Sequence, residues 1–545
     1  MLANFPLLSL IVFSPLIGVV ALLFVPKTNG RAIKITAILA TLIPLALSVA
    51  LFAAYDRTAE ETMQFTEEAD WIIADMNREG EMLSGLAGYA LQFKYKVGAD
   101  GLSAALILLT ALISVMAALA AVHIKKRWKT FYILFLILMV GMFGVFAARD
   151  LFLFFVFFEL TLVPMFFLIG IWGFNDREKA AVKFLIYNGI GSALMLIAFL
   201  IIVITAGFAI VEPDGGRPLG MYTADIDVIS ANLADESGYV NSPGAIWPGV
   251  ANPFYLSEGM AWLVFILLLI AFGIKLPIFP FHTWMLKVHA EAPPSVVMIH
   301  SGILLKIGAY GLIRFGIGLF PEHVRMWATV LALIGLINVL YGALIALRQS
   351  DFRLVLAYSS ISHMGIVLFG IAALNAVGLE GALFQMVSHG LISALMFLIV
   401  GSLYERTDSM ELSDMGGLAK AFPFMCGILL TAGMASLGLP GLSGFVSEFM
   451  SFLGLFDTLP VVAAIGALGI ILTAAYVLRA VMRISFGPMK DRFAVLNDAR
   501  FIEAVPMVTL LAFIILIGVY PSALSETLKT TVETIAQNFG GRIGG

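Results

Sequence analysis

Two lysines stand where the surrounding sequence makes a charge expensive. Lys275 closes an apolar run from Met260 to Ile274, and Lys306 lies inside a second run that also carries His300. A charge at the centre of a bilayer costs roughly 2.5–3.5 kcal/mol on insertion scales, so an ionisable group at that depth is by default a functional one. The chemistry open to such groups is taking up and passing on a proton. Glu159 is the matching carboxylate, alone among Phe154, Phe155, Phe157, Phe158 and Leu160. Its side chain is too short to reach the surface, so it needs a cation beside it, and Lys275 is the candidate. Opening that pair would free the lysine to pass its proton on; the competing reading is a static ion pair that joins two helices.

Further polar residues fall on helix faces. Lys306, Tyr310 and Arg314 follow at i, i+4 and i+8, and so line one face. Gln385, His389 and Ser393 do the same on another helix, and Ser359 shares a face with His363. Histidine titrates near physiological pH and suits a relay, although each one singly could equally be a hydrogen bonder between helices. With Glu448, these stripes predict one connected polar track through the membrane. The seven histidines are scattered and none pairs with a carboxylate at ligand spacing along a helix, which argues against a metal.

The elements that must position these groups are interrupted helices. The first run stops at Lys275-Leu276-Pro277-Ile278-Phe279-Pro280, continues to His289, and ends at Glu291-Ala292-Pro293-Pro294. Proline removes a backbone donor, and in a membrane the freed carbonyls must be met by protein or by cavity water. A second interruption is expected at Leu439-Pro440-Gly441-Leu442-Ser443-Gly444. Paired interruptions in two halves are the mark of inverted-repeat transporters, with the ion site at the breaks. The expected fold is an all-α membrane protein of about 14 spans. It contains two inverted five-helix repeats at about 131–319 and 325–485, each with a broken helix. Segment 1–123 holds N-terminal spans and an acidic loop, and 502–545 holds the last span and a tail.

Composition agrees with a membrane protein. Of 545 residues 61% are hydrophobic and only 12% charged, where soluble proteins carry about 25% charged residues. The single cysteine, Cys426, excludes an internal disulfide and a cysteine-ligated iron–sulfur cluster in this chain. No glycine-rich nucleotide motif is present. Basic loops, such as that of Lys125, Lys126, Arg127 and Lys129, alternate with loops 55–100 and 209–258, which are rich in Asp and Glu, among them Glu67, Glu68, Asp70, Asp225 and Asp227. By the positive-inside rule the basic side is cytoplasmic, so both termini are expected on the outer side. Loop 209–258 reads as an irregular excursion from its Gly, Pro, Asn and Asp content. In the tail, Leu524, Leu528, Val532 and Ile535 recur at helical spacing, which predicts an amphipathic helix on the outer surface or against a partner.

The combination Phe158-Glu159-Leu160, Lys275-Leu276-Pro277, His282-Thr283-Trp284, His289-Ala290-Glu291-Ala292-Pro293-Pro294, His300 with Lys306, and Tyr358-Ser359-Ser360 with His363-Met364-Gly365 resembles a known family. These are the antiporter-like membrane subunits of respiratory complex I, together with the large subunits of multi-component sodium/proton antiporters. The resemblance covers nearly the whole chain apart from the outer loops. It implies a proton-translocating subunit without a redox centre, belonging to an NADH:quinone oxidoreductase. FMN, iron–sulfur clusters and quinone would then sit in partner chains, and the neighbours would be other antiporter-like subunits and lipids, not nucleic acid. It further implies that Glu159 and Lys275 form the switching pair, that Lys306 is the central relay and that Glu448 is the outer end of the track. Relatives usually carry lysine where Glu448 stands, and that exchange weighs against the alternative of a stand-alone sodium/proton antiporter subunit.

Overall fold

Two helices, Pro294–Ile317 and Ala376–Thr407, are enclosed by protein along their whole apolar window, and the rest of the molecule is arranged around them. One carries His300 and Lys306, the other Gln385 and His389. The computed structural model describes residues 5–59, 62–75, 89–121, 124–211, 219–244 and 252–540. Among these, 13 helices are long and apolar enough to cross a membrane. The short pair Pro423–Ser436 and Ser443–Thr458 supplies the further, interrupted crossing expected from the sequence. The protein is a mostly helical, multi-pass membrane protein.

Counted from Trp128, five crossings end at Ile317 and the next five end at Ser485, and in both sets the fourth is broken. An odd number of crossings sends the second set through in the opposite sense, which is the inverted repeat. The first break separates Glu258–Lys275 from Thr283–Glu291. Its stranded backbone groups find side chains: Trp284 Nε1 donates to the Ile274 carbonyl at 3.1 Å, and Asn338 Oδ1 accepts from the Phe279 amide at 2.8 Å. The Lys306 helix crosses here at Gly308, where a Cβ would lie 2.5 Å from the Leu276 nitrogen and 2.7 Å from the Phe272 carbonyl oxygen. Only glycine permits that approach. The second break turns through Gly438 (φ 78°) and Gly441 (φ 90°), left-handed conformations that glycine adopts without steric cost.

The Lys306 helix is not a plain α-helix. π-helical stretches at His300–Leu304 and Leu312–Ile317 flank the α-helical Leu305–Gly311. Wide turns of this kind commonly mark functional sites.

One end of the molecule carries a four-stranded sheet in the order β1-β2-β4-β3, with β1 Gln64–Asp75, β2 Tyr89–Ala99, β3 Phe208–Val211 and β4 Leu219–Thr223. Region 209–258, expected to be irregular, instead contributes β3, β4 and the helix Ile226–Ala234, and the all-α expectation gains this one sheet. β3 and β4, of 4 and 5 residues, are too short to show a period of their own. They are held by non-local pairing, with β4 running parallel to β2, and by an aromatic cluster in which Phe208 stacks on Phe254 at 3.7 Å. Buried charge fastens the sheet to the helices. Lys96 Nζ lies 2.8 Å from both Asp225 and Asp227, and Arg149 also contacts Asp227.

The tail forms the helix Ser522–Gly540 and lies against the chain's own helices, not free at the surface. Leu524, Leu528 and Val532 are buried. Thr531 Oγ1 accepts from the amide of Gly101 at 3.0 Å, which satisfies one of the orphan donors at the start of the helix Gly101–Ala120.

Candidate functional site

Most of the polar residues expected from sequence gather along the middle of the molecule, in a line that is open at several joints. Glu159 and Lys275 sit on two helices that both pack against Arg177–Ile204, and no hydrogen bond joins them: Glu159 Oε1 and Lys275 Nζ are both buried and unpartnered. The ammonium of Lys275 rests on the ring of Phe158, 4.6 Å from its centroid, and 5.9 Å from that of Phe184. The closed ion pair read from sequence is therefore absent here. An aromatic face attracts a cation, and Phe158 offers one at the residue before the carboxylate.

Phe184 leads to the next group, since its ring also lies 6.1 Å from that of His300. His300 Nδ1 is 2.9 Å from His289 Nε2, with the rings edge to face, while His300 Nε2 and His289 Nδ1 have no partner. His289 belongs to this cluster although sequence reasoning took it only as part of a motif. The two residues lie on either side of the Pro293-Pro294 turn, so helical spacing could not join them. A histidine in the last turn of a half-helix that stops inside a membrane protein is the signal that could have done so.

Beyond the pair stands Lys306, fully buried. Its ammonium donates to the Ser301 carbonyl and to His389 Nδ1, the latter at 2.7 Å. Accepting at Nδ1 leaves the His389 hydrogen on Nε2. The His389 ring lies 5.5 Å from that of His363. His363 Nδ1 is 3.3 Å from Glu448 Oε1 and 3.2 Å from Gln385 Nε2, and Ser436 Oγ approaches its other nitrogen at 3.4 Å. One ring nitrogen cannot serve both neighbours at once. With a hydrogen it donates to Glu448; without one it accepts from the Gln385 amide. Gln385 is itself held by Ser447, whose hydroxyl donates to its Oε1. The line from Lys306 to Glu448 borders a cavity of about 20 Å³ lined by Ser359, Ser360, Ser388 and Ser436 together with both histidines. That is room for a water, with several polar partners in reach.

Two expected face residues leave the line. Tyr310 turns to Ser103 and to the Phe146 carbonyl, each at 3.2 Å, and Arg314 pairs with Asp100, whereas Ser393 borders the same small cavity while bonding its own helix at Gly390. At the end of the molecule away from the sheet, a larger cavity of about 450 Å³ opens between Lys126, Trp172, Ser295, Ser402 and Glu503. Leu398 is in its wall, and the adjacent Phe397 packs its ring 5.1 Å from His289.

Residues 148–473 match the family model described as "NADH:quinone oxidoreductase/Mrp antiporter, TM". The chain belongs to that family. It is 37% identical to the NAD(P)H-quinone oxidoreductase chain 4 2 of Thermosynechococcus vestitus, over 99% of this chain and 93% of that relative. It is 35% identical to the NADH-quinone oxidoreductase subunit M of Rhodobacter capsulatus, over 99% and 98%. Within the family the similarity is to the M-chain type of antiporter-like subunit. A chain of respiratory complex I from Thermus thermophilus with bound NADH superposes with a TM-score of 0.79 at 28% identity, covering 98% of this chain and 100% of that one. A chain of the Mrp complex from Dietzia sp. DQ12-45-1b reaches 0.74 at 19% identity, over 97% and 99%, and shares the fold.

Proposed function

We propose that this chain is a proton-translocating membrane subunit of an NADH:quinone oxidoreductase, itself without a redox centre and driven by electron transfer in partner chains. The observation that carries the reading is the line Lys306–His389–His363–Glu448, whose two close contacts, Lys306–His389 and His363–Glu448, are joined by histidine rings 5.5 Å apart beside a cavity with room for a water. A proton held by Lys306 is already shared with His389 Nδ1. Passage to His363 needs one bridging water or a small ring movement, and Glu448 supplies the negative charge that draws the proton on.

The supply side of Lys306 is the histidine pair, and the switch is Lys275. In contact with Glu159 the ammonium would be matched by a full negative charge; where it lies it rests on the faces of Phe158 and Phe184. Moving between these positions changes the field at His300. The 450 Å³ cavity would let water approach His289 behind Phe397 and Leu398. The charge bias of the loops puts this cavity on the cytoplasmic side, and the sheet, the tail and both termini outside, in the cytoplasmic membrane of a bacterium. FMN, iron–sulfur clusters and quinone belong to other subunits on this reading, and neighbouring antiporter-like chains and lipids are its contacts.

The test is NADH-driven proton uptake by inverted membrane vesicles, normalised to assembled complex. Lys306→Ala is expected to abolish this chain's share of the uptake. Full uptake per NADH in that variant would rule out the path. Co-purification with NADH-oxidising chains, as against sodium-dependent exchange without them, separates this reading from a stand-alone antiporter.

A further inference from the structure

The Lys306 helix carries a second polar line, which runs outward and not sideways. Tyr310 and Arg314 lie one and two turns beyond Lys306 on the same face, so the three span about 12 Å along the axis. Tyr310 Oη is 3.2 Å from Ser103 Oγ, and that same hydroxyl accepts from Arg314 Nη2 at 3.2 Å. Arg314 then reaches Asp100, the residue that caps the helix Gly101–Ala120 by accepting from the Ser103 amide at 2.9 Å. Hydroxyls both donate and accept, so tyrosine and serine could hand a proton outward from the turn after Lys306. This line lacks the histidines of the line to Glu448, and its carboxylate, Asp100, is already engaged by Arg314. It ends at a guanidinium, which has five donors, no acceptor, and a charge it does not lose.

We propose that Arg314, held in place by Asp100, is an electrostatic plug at the outer end of the Lys306 helix. The proposal rests on the proton path described above. A fixed positive charge at a constriction excludes protons from a pore. Here it would bar the outward line through Tyr310 and Ser103 and leave His389, the side chain to which Lys306 is already hydrogen-bonded, as the route taken. The guanidinium suits that duty because it is nearly enclosed, its side chain 13% exposed, and because Asp100, 3% exposed, faces it from the outer side. The pair thus closes the route without needing to titrate. Arg314 is a positioning residue that determines direction, since it touches no part of the Lys306–Glu448 line.

The experiment uses the whole complex reconstituted in liposomes, with passive proton conductance measured in the absence of NADH and pumping measured in its presence. Arg314→Met is expected to raise passive conductance roughly tenfold, with NADH oxidation kept and net pumping reduced. Removing one partner strands a buried charge, so the neutral pair Arg314→Met/Asp100→Asn is the second variant; it should leak as well while assembling more readily. Adding Lys306→Ala to either should close the leak, because the leaking proton must pass Lys306. A leak that persists without Lys306 would be a packing defect and would overturn the plug. So would wild-type tightness in an assembled variant, or failure of both variants to assemble, which would make the pair purely structural. Lys306→Ala alone keeps the two claims apart: if it pumps normally the path itself is wrong, whereas if it does not pump while the Arg314 variants stay tight, only the plug fails.

Discussion

Glu448→Gln is the sharpest test of the path because it removes one charge and almost no shape. Glu448 Oε1 lies 3.3 Å from His363 Nδ1. Two unit charges at that distance attract by about 5 kcal/mol at an effective dielectric of about 20. An amide oxygen in the same place can still accept a hydrogen bond from Nδ1, which returns about 1 kcal/mol. The net loss for a positive charge passing this point is therefore about 4 kcal/mol, or about three powers of ten in rate. Transfer through His363 should fall by a comparable factor, which is loss of this chain's pumping by any practical measure. Glu448→Asp retains the charge and should keep substantial pumping. Glu448→Lys should do no better than the glutamine variant, since it places a positive charge or a bare amine where a proton must arrive. The assay is quinone-linked NADH oxidation together with proton uptake in vesicles, normalised to assembled complex. Assembly should be intact in all three because the side chain is buried within this chain and not at its surface. Near-normal pumping by Glu448→Gln would refute the reasoning and leave the carboxylate as a support for the helix break, where its Oε2 would lie 2.9 Å from a Cβ added at Gly438.

Lys306→Arg should keep the charge and the fold yet lose pumping, because guanidinium does not give up its proton; wild-type rates would make the lysine purely electrostatic. His289→Phe should fill the site while cutting the supply to Lys306, so pumping falls and NADH oxidation becomes limited by a stalled switch; unchanged proton uptake would take the histidine pair out of the path. Asp150, at the start of the Glu159 helix, is buried beneath the sheet and its pKa is pushed from 3.8 up to about 6 by desolvation, against three backbone N–H bonds. The folded state thus holds this proton more tightly than the unfolded chain, so its stabilisation is present below about pH 4 and lost as pH rises through 6, a difference of about 3 kcal/mol. Asp150→Asn should accordingly gain thermal stability relative to wild type at pH 8 and little at pH 4; the same offset at both values would show that burial does not set this group's cost.

The helical plan was readable because the bilayer imposes it. Long apolar runs, loop charge and two proline or glycine interruptions follow from the cost of bare backbone in lipid, and each has a visible trace in the sequence. Lys275, Lys306, His389 and Glu448 were found the same way, as groups too costly to be incidental. What could not be read depends on contacts between distant segments. β4 pairs with β2 across more than one hundred residues, and no local period announces it. His289 meets His300 across a turn, not along a helix. Lys275 rests on the face of Phe158 and not against Glu159, residues adjacent in sequence, and nothing in the local pattern chooses between them.

The tail helix has a consequence for how the molecule is made. The first amide of the helix Gly101–Ala120 finds its acceptor only in Thr531, 430 residues further along, and Gly101 has no room for a Cβ because the Thr527 carbonyl lies against it. Residues 101–120 are synthesised and inserted long before that acceptor exists. Until the ribosome has delivered residues 522–540, the interior beside Asp100 and Arg314 stays open at one end, with polar backbone that a chaperone or protease can recognise. The interior around Gly101 is therefore closed only after residues 522–540 have been made, although the helix it belongs to is among the early ones in the chain.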